Sequence, residues 1–450
     1  MASTFGGLQQ AGSALSAARY GLSVVSQNIA NADTPGYVRR VAQQASAEPV
    51  SGVSRVHVSA SPTGGVTDVA TTRQNDPVID ARARAEYARG ASADTTATRM
   101  SAIEDVFPEP SDTGLSEQLN AFWNSWSTVA NDPASTAPRA VLLSNAQNVA
   151  ATLNSMSTSL SGIAGNAALA LTSTATSVTS LAGQLANLNG QIAVAHASGA
   201  DANGILDQRD TLLDKLAQSV GSTAVINANG TADVRLGGQS LVSGASAAAV
   251  TFTGSQLAVG GTGVAVTAGS AAAELATLTT TVPGFQGQLD SVATQLMSVV
   301  NGAQAGGFDL AGSAGTAMFT GTGAADISVA FSKPSLVAAA SVAAGTNDGG
   351  NALVVATKGT LASGPDATYL QLVGNVGSAS ALASQQQSTQ QSVTSGVDAL
   401  RASASGVSYD EEVSAMLTYQ HAYTAASRVL TTIDDMLDTL INHTGLVGRA

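Results

Sequence analysis

Apolar residues recur in sevens at both ends of the chain. Near its start, Leu8, Leu15, Leu22 and Ile29 are spaced by seven, with Ala11, Ala18, Val25 and Ala32 three residues later in each repeat. Such spacing is the a/d seam of a helix that packs along another helix. Gly6, Gly7, Gly12 and Gly21 interrupt it. Each costs about 1 kcal/mol of helix stability relative to alanine, so the segment needs a partner to fold. Pro35-Gly36, after Asn31-Ala32-Asp33-Thr34, stops the helix. At the far end Met416, Tyr419, Tyr423, Ala426, Leu430, Ile433, Leu437 and Leu440 step alternately by three and four, the most regular heptad of the chain. About 25 residues of this helix span roughly 36 Å. Ser408 with Glu411 reads as a capping box, and Asp410, Glu411 and Glu412 fill the first turn, where the helix dipole favours negative charge.

Between the ends, positions 80–218 read as helical. Leu115, Leu119, Phe122, Trp123, Trp126 and Val129 form one apolar stripe, and Leu181, Leu185, Leu188 and Ile192 another. From 219 to 275 the texture turns to short alternating runs such as Thr223-Ala224-Val225-Ile226 and Val250-Thr251-Phe252-Thr253, punctuated by Asn229-Gly230, Gly237-Gly238 and Gly260-Gly261. Helical patterning returns over Ala272–Val300, an irregular glycine-rich stretch follows to about Gly350, and Gln385-Gln386-Gln387 opens a polar helix that leads into the C-terminal heptad. The expected fold is mainly α, a long helical bundle with a small inserted β-domain and a terminal heptad coiled coil. Its parts are an axial domain of residues 1–60 with 395–450, disordered in the monomer, a discontinuous helical domain of 61–218 with 276–394, and a β-domain at 219–275.

Composition sharpens this picture. Only 11% of the 450 residues are charged and 4% aromatic, alanine is roughly one residue in five, and the 44% hydrophobic fraction is largely alanine. Thin alanine stripes suit long helices packed closely on helices or on other subunits. The net charge of −13, with no local run of basic residues, argues against a nucleic-acid partner. No cysteine is present, which removes thiol catalysis, disulfides and Cys-ligated metals. The N-terminus lacks a basic region before an apolar core, and no run of eighteen apolar residues follows, so neither Sec-type export nor membrane spanning is indicated.

Candidate chemistry is sparse. His57, His196, His421 and His443 have no second ligand at metal spacing; His421 and His443, on one helix, would stand about 33 Å apart. Gly260-Gly261-Thr262-Gly263 has Val266 where a dinucleotide loop needs a third glycine, so it reads as a turn. The carboxylates at 410–412 and at Asp434, Asp435 and Asp438 read as caps and solvated helix faces. Leu206-Asp207-Gln208-Arg209-Asp210 reads as a polar helix face with Leu206, Leu213, Leu216 and Val220 turned inward. No catalytic, cofactor or metal site is expected.

Asn28-Ile29-Ala30-Asn31-Ala32-Asp33-Thr34-Pro35-Gly36-Tyr37, with Arg39 behind it, resembles the N-terminal signature of bacterial flagellar axial proteins. Three further stretches resemble the hook-associated protein 1 family. They are Phe107–Ala150 with PSDTGLSEQLNAFWNSWSTVANDPAS, Ile205–Gly244 with ILDQRDTLLDKLA and GGQSLVSG, and Ser405–Gly445 with SGVSYDEEVSAMLTYQHAYTAASRVLTTIDDMLDTLIN. A weaker match runs through Leu289–Gly323. The resemblance implies an extracellular flagellar component, exported unprocessed by the type III apparatus and assembled as a ring at the hook-filament junction. The implied partners are further copies of itself, the hook protein, a second hook-associated protein on the filament side, and a cytoplasmic chaperone on the C-terminal helix. Leu8, Leu15, Leu22, Val25 and Ile29 with Tyr419, Tyr423, Leu430, Ile433, Leu437 and Leu440 are the expected interface, within or between subunits. Asn28, Asn31, Thr34, Pro35, Gly36 and Tyr37 carry the family signature. A hook or rod subunit shares that signature, and a secreted adhesin or glycan-acting enzyme is the alternative from another class.

Overall fold

The computed structural model describes residues 4–46, 64–343 and 347–443. Helix α1 (Thr4–Ala30) leads into a hairpin of β1 (Arg40–Ser46) and β2 (Val66–Arg73), then helices α2 (Pro77–Glu104), α3 (Leu115–Asn131), α4 (Thr136–Ser198) and α5 (Asn203–Val220). Seven short strands follow: β3 (Thr223–Ile226), β4 (Ala232–Leu236), β5 (Gln239–Ser243), β6 (Ser246–Ala247), β7 (Val250–Phe252), β8 (Leu257–Val259) and β9 (Thr262–Val264). Then come α6 (Ser270–Ala276), α7 (Val282–Ala305), a minimal hairpin of β10 (Phe319–Thr320) and β11 (Ser328–Val329), α8 (Gly350–Ala356), α9 (Pro365–Ser405) and α10 (Tyr409–Asp438). The expected fold class holds, with long helices at both termini and a small β insert.

Helix α4 is the spine. Its 63 residues extend about 95 Å. One core lies along its first half, where Leu142, Val149, Leu153 and Leu160 meet Phe122 and Trp126 of α3, Leu289 and Leu296 of α7, and Tyr369 and Leu372 of α9. A second core lies along its second half, where Leu171, Val178 and Leu185 meet Leu213 and Leu216 of α5 and Val234, Leu241 and Leu257 of the strands. Ala146, Ala167, Ala175 and Ala182 are at most 3% exposed. Much of the alanine is thus buried within this chain, where small side chains let long helices approach closely. Both tryptophans gather in the first core with Phe107, Phe122, Phe285, Phe319 and Tyr369, so it is fuller than the composition suggests.

The β insert forms two antiparallel sheets, ordered β3-β4-β5-β6 and β7-β8-β9. Gly237-Gly238 and Gly260-Gly261 turn its hairpins with positive φ at both residues of each pair. That is the geometry two-residue hairpins need, and it confirms the glycine-rich run as a turn. Asn189 of α4 pins the first sheet by donating to the carbonyls of Ala232 and Gly244, both at 2.8 Å.

Three local expectations change. The β1-β2 hairpin was not signalled. Helix α9 starts at Pro365, twenty residues before Gln385, because proline suits the first helical turn and Tyr369, Leu372, Val376 and Ala383 give it a buried stripe. Ser408 does stand at the N-cap of α10, yet its side chain makes no capping bond, and Glu411 instead pairs with Arg39.

One half-buried carboxylate makes the first core pH-sensitive. Asp366, in the first turn of α9, accepts a 2.7 Å hydrogen bond from Trp123 Nε1. Burial pushes its carboxyl up to about 6, against the lowering effect of that bond. A folded pKa above the unfolded one means that the folded chain binds the extra proton, so stability rises as pH falls from about 6 towards the ordinary carboxylate range. Asp366→Asn keeps an acceptor for Trp123 and removes the half-buried charge. It should raise Tm at pH 8 by about 2 °C and flatten the pH 5–8 dependence, as measured by calorimetry. An unchanged pH profile would assign that dependence to other groups.

Candidate assembly site at the joined termini

The two heptad seams meet each other. Helices α1 and α10 run antiparallel, and each step along one is matched by an equal step back along the other: Gly7 faces Ile433, Gly21 faces Tyr419 and Asn28 faces Glu412. The seam glycines acquire a use here. A Cβ at Gly21 would overlap the Tyr419 ring, and one at Gly7 would stand 3.2 Å from Ile433 Cδ1. Both are sockets for large side chains, whereas a Cβ at Gly12 would meet nothing within 4 Å.

The predicted seam is therefore assembled inside one chain. Val25 is buried, together with Ala11, Ala17, Ala18 and Val24. Leu8, Leu15, Leu22, Ile29, Tyr419, Leu430, Ile433 and Leu437 are half-buried, and Tyr423 is exposed. The side chain of Leu440 lies outside the described residues, as do that of His443 and all of His57. His421 is exposed on α10, and His196 lies in the last turn of α4. Among the described residues no cluster suited to a metal ion is present.

The seam ends in a polar layer built by the signature. Asn28, 1% exposed, uses all four of its side-chain hydrogen-bonding positions. It donates to Glu412 Oε2 at 3.0 Å and to the Arg40 carbonyl at 2.8 Å, and it accepts from Tyr37 Oη at 2.8 Å and from the Arg40 backbone N–H at 3.0 Å. Glu412, also 1% exposed, receives Arg39 Nε at 2.7 Å, while Arg39 Nη1 reaches Glu411 at 2.7 Å. Asn31 and Thr34 shape the loop: the Asn31 side chain returns to the Gln27 carbonyl and the Thr34 backbone N–H bonds to the Asn31 carbonyl. After Pro35, Gly36 takes φ 82° beside Thr211 of α5, close enough that a Cβ would strike the Thr211 hydroxyl. Burial raises the Tyr37 hydroxyl pKa, with Arg40, stacked 5.0 Å from the ring centroid, opposing.

Behind this layer an ion network ties the terminal pair to the helical domain. Asp207, Asp210 and Asp214 lie on one face of α5. Arg40 at the start of β1 reaches Asp207 at 3.2 Å, and Arg73 at the end of β2 stands 2.8 Å from Asp207 and 2.7 Å from Asp210. Arg84 of α2 bridges Asp210 and Asp214 at 3.2 and 3.0 Å. Arg401 of α9 joins Asp214 at 2.7 Å to Asp80 of α2 at 2.8 Å, and Arg209 closes on Asp210 at 2.8 Å. The reading of 206–210 as a solvated polar face is thus corrected: Asp207, Arg209 and Asp210 are at most 9% exposed. Burial alone would raise the Asp210 carboxyl, yet Arg209, Arg73 and Arg84 together hold it below the ordinary carboxylate range. For Asp207 and Asp214 burial outweighs the arginines and the shift is upward.

Nothing in this arrangement presents a nucleophile, an acid/base pair aimed at a cleft, or a phosphate cradle. It is a joint. Three distant parts of the chain, the signature with its adjoining hairpin, α5 and the α9-α10 turn, are locked by charge and hydrogen bonding. Outside the lock α10 carries an unpartnered apolar surface, with Tyr409, Val413, Leu417, Tyr423, Val429 and Met436 between 37% and 53% exposed.

Comparisons with known proteins fall along the same divisions. The family model described as the flagellar hook-associated protein FlgK helical domain matches residues 100–319. The two ends match models of the flagella basal body rod protein, residues 8–37, and the flagellar basal body rod FlgEFG protein C-terminal region, residues 401–443. The chain is 31% identical to flagellar hook-associated protein 1 of Bacillus subtilis over a 510-residue alignment that covers 100% of both. It is 27% identical to that of Salmonella typhimurium over 243 residues, 53% of this chain and 43% of the other. Among solved structures, the flagellar hook junction protein FlgK from Burkholderia pseudomallei superimposes with a TM-score of 0.65 at 18% identity, over 72% of this chain and 99% of that one, a likeness of fold.

Proposed function

This chain belongs to the flagellar hook-associated protein 1 family and is a structural component of the hook-filament junction, and from that premise we propose that it closes a ring by packing its joined termini against those of neighbouring copies. The observation that carries the reading is the exposed apolar surface of α10. Val413 and Leu417 on one flank of the seam and Val429 and Met436 on the other leave apolar surface in water on both sides of a helix already paired along that seam. In this proposal the half-buried seam residues Leu8, Leu15, Leu22, Ile29, Tyr419, Leu430, Ile433 and Leu437 hold the two ends together in the chain. Their outer edges, with Tyr423 and the exposed apolar side chains of α10, form the contact between copies. Folding of the glycine-interrupted N-terminal helix is completed on assembly, which accounts for its weak intrinsic propensity.

The ring sits between the hook protein and a second hook-associated protein, outside the cell, and is delivered through the flagellar export channel without a cleaved signal peptide. Before export the apolar row of α10 is covered by a cytoplasmic chaperone. The two end matches are shared with rod proteins; the match over 100–319 separates this chain from a rod or hook subunit. Electron microscopy of a strain lacking the chain should show hooks without filaments, and the wild-type chain should restore filaments. Absence of hooks would instead identify a hook or rod subunit. A Tyr409→Ser, Val413→Ser, Leu417→Ser triple variant should be secreted yet restore fewer than about one filament in ten; full restoration would remove the exposed row from the interface.

A further inference from the structure

The contacts of Gly7 with Ile433, Gly21 with Tyr419 and Asn28 with Glu412 fix the height of every residue on the two terminal helices. On α1, Leu8, Leu15, Leu22 and Ile29 each follow a seam position by one residue, so they stand about 100° round the helix from α10. The β1-β2 hairpin covers the opposite flank of α1, through Ser13, Ala17 and Tyr20, and leaves the leucine row half-buried. On α10, Ala422, Val429 and Met436 each follow a seam position by three residues, about 60° round the other way. Val429 and Met436 are 50% and 53% exposed, and Ala422 is exposed too. Because the helices run antiparallel, these turns of opposite sense put the two rows on opposite faces of the pair.

Both rows repeat every seven residues, and their heights interleave. Val429 is level with Ala11, between Leu8 and Leu15, and Ala422 is level with Ala18, between Leu15 and Leu22. Met436 is level with Thr4, just beyond Leu8. Side chains of one row standing at the gaps of the other are what knobs-into-holes packing requires. Within one chain the rows cannot meet, since they face apart. Two copies side by side at equal height can bring them together, and a contact of one face on the opposite face is the kind that repeats around a ring. Charge favours the same pairing. Helix α10 carries Asp410, Glu411, Glu412, Asp434, Asp435 and Asp438 against one arginine, Arg428, whereas α1 has no acidic residue and one cation, Arg19. Packing α10 on α10 would set carboxylates side by side; packing it on α1 does not.

We propose that the Ala422, Val429 and Met436 row of one copy seats between Leu8, Leu15 and Leu22 of the next. Each α1 then lies between two α10 helices, its own along the seam and a neighbour's along its outer flank, and the half-buried leucines serve both. This rests on the ring reading above and names the two faces that meet.

The chain lacks cysteine, so introduced residues supply its only thiols. Hook–filament particles from a deletion strain restored by the full-length variant chain are treated with a short bismaleimide and resolved on denaturing gels. A Leu15→Cys/Ala422→Cys chain should give a ladder of dimers and higher multimers. A Leu15→Cys/Met436→Cys chain, whose two positions differ in height by about 16 Å, should give less than about a tenth as much. Chains with Leu15→Cys or Ala422→Cys alone should stay monomeric. Leu22→Cys with Ala422→Cys repeats the test should Leu15→Cys not restore filaments. Monomers from the paired chain, or dimers from Ala422→Cys alone, in particles that contain the chain would overturn this pairing of faces while leaving the ring reading in place. The ring reading itself fails on a separate result, the absence of hooks in the deletion strain.

Discussion

Asp210→Asn should destabilise the joint between the termini and the helical domain by about 3–5 kcal/mol, the range for removing one partner of a buried ion pair. The carboxylate is 4% exposed and receives Arg73 on one oxygen and Arg84 and Arg209 on the other. An amide in its place neutralises nothing and turns N–H donors towards guanidinium groups that are donors themselves. Arg40 and Arg73, directly paired at the open end of the hairpin, would then share only Asp207. Trypsin should cut at Arg73 and Arg84 at least tenfold faster than in the wild type, and calorimetry should resolve a separate, lower transition for the terminal module. Because the folded pKa of Asp210 lies below its unfolded value, its contribution is present above the ordinary carboxylate range and is lost as pH falls through the folded pKa. The variant's deficit should therefore shrink on strong acidification. A melting curve and digestion pattern equal to wild type at neutral pH would show that the network is dispensable.

The second large effect is one of sign. On an isolated helix both Gly12→Ala and Gly21→Ala would stabilise by about 1 kcal/mol. In this structure only Gly12→Ala should do so, because open space lies beside it. Gly21→Ala drives a methyl group into the Tyr419 ring and should cost about 1–3 kcal/mol, as overpacking does. Tyr419→Leu should restore most of the loss when combined with Gly21→Ala and should be mildly destabilising alone. Helical signal at 222 nm during urea titration measures the pair, and swimming in soft agar measures the consequence: Gly21→Ala cells should be impaired and Gly12→Ala cells should not. If both alanines shift stability in the same direction, Gly21 is not a socket.

The seams were legible in the sequence because seven-residue spacing survives without any tertiary context, and so were the Phe122-Trp126 stripe and the β insert, marked by alternation and paired glycines. What glycine did inside the first seam was not legible. Propensity assigns each glycine a cost, and only the facing helix shows which of them receive a ring. The ion network was hidden for a different reason. Asp207, Asp210 and Asp214 look like any polar helix face, and their partners Arg40, Arg73, Arg84 and Arg401 lie between 126 and 187 residues away. A signal was nonetheless present: in a chain with 11% charged residues, three aspartates at i, i+3 and i+7 on one helix face, with few basic residues nearby to balance them, call for cations from elsewhere. The hairpin had no such signal. Its strands are short of large apolar residues and are held by α1, where Gln44 donates to the Ala17 carbonyl and Ser13 receives the Val66 backbone N–H.

The Asn28–Glu412 contact closes a loop of 384 residues. On a ribosome, Asn28 is made early and Glu412 nearly last, so the helical core and the β insert can mature while both ends are still apart. Such a distant closure is also entropically slow once synthesis ends. The unpaired arginines of the first hairpin add to this order: they repel one another until α5 has been translated and brings its aspartates. The order of synthesis thus lets the middle of the chain fold before its two tails can meet.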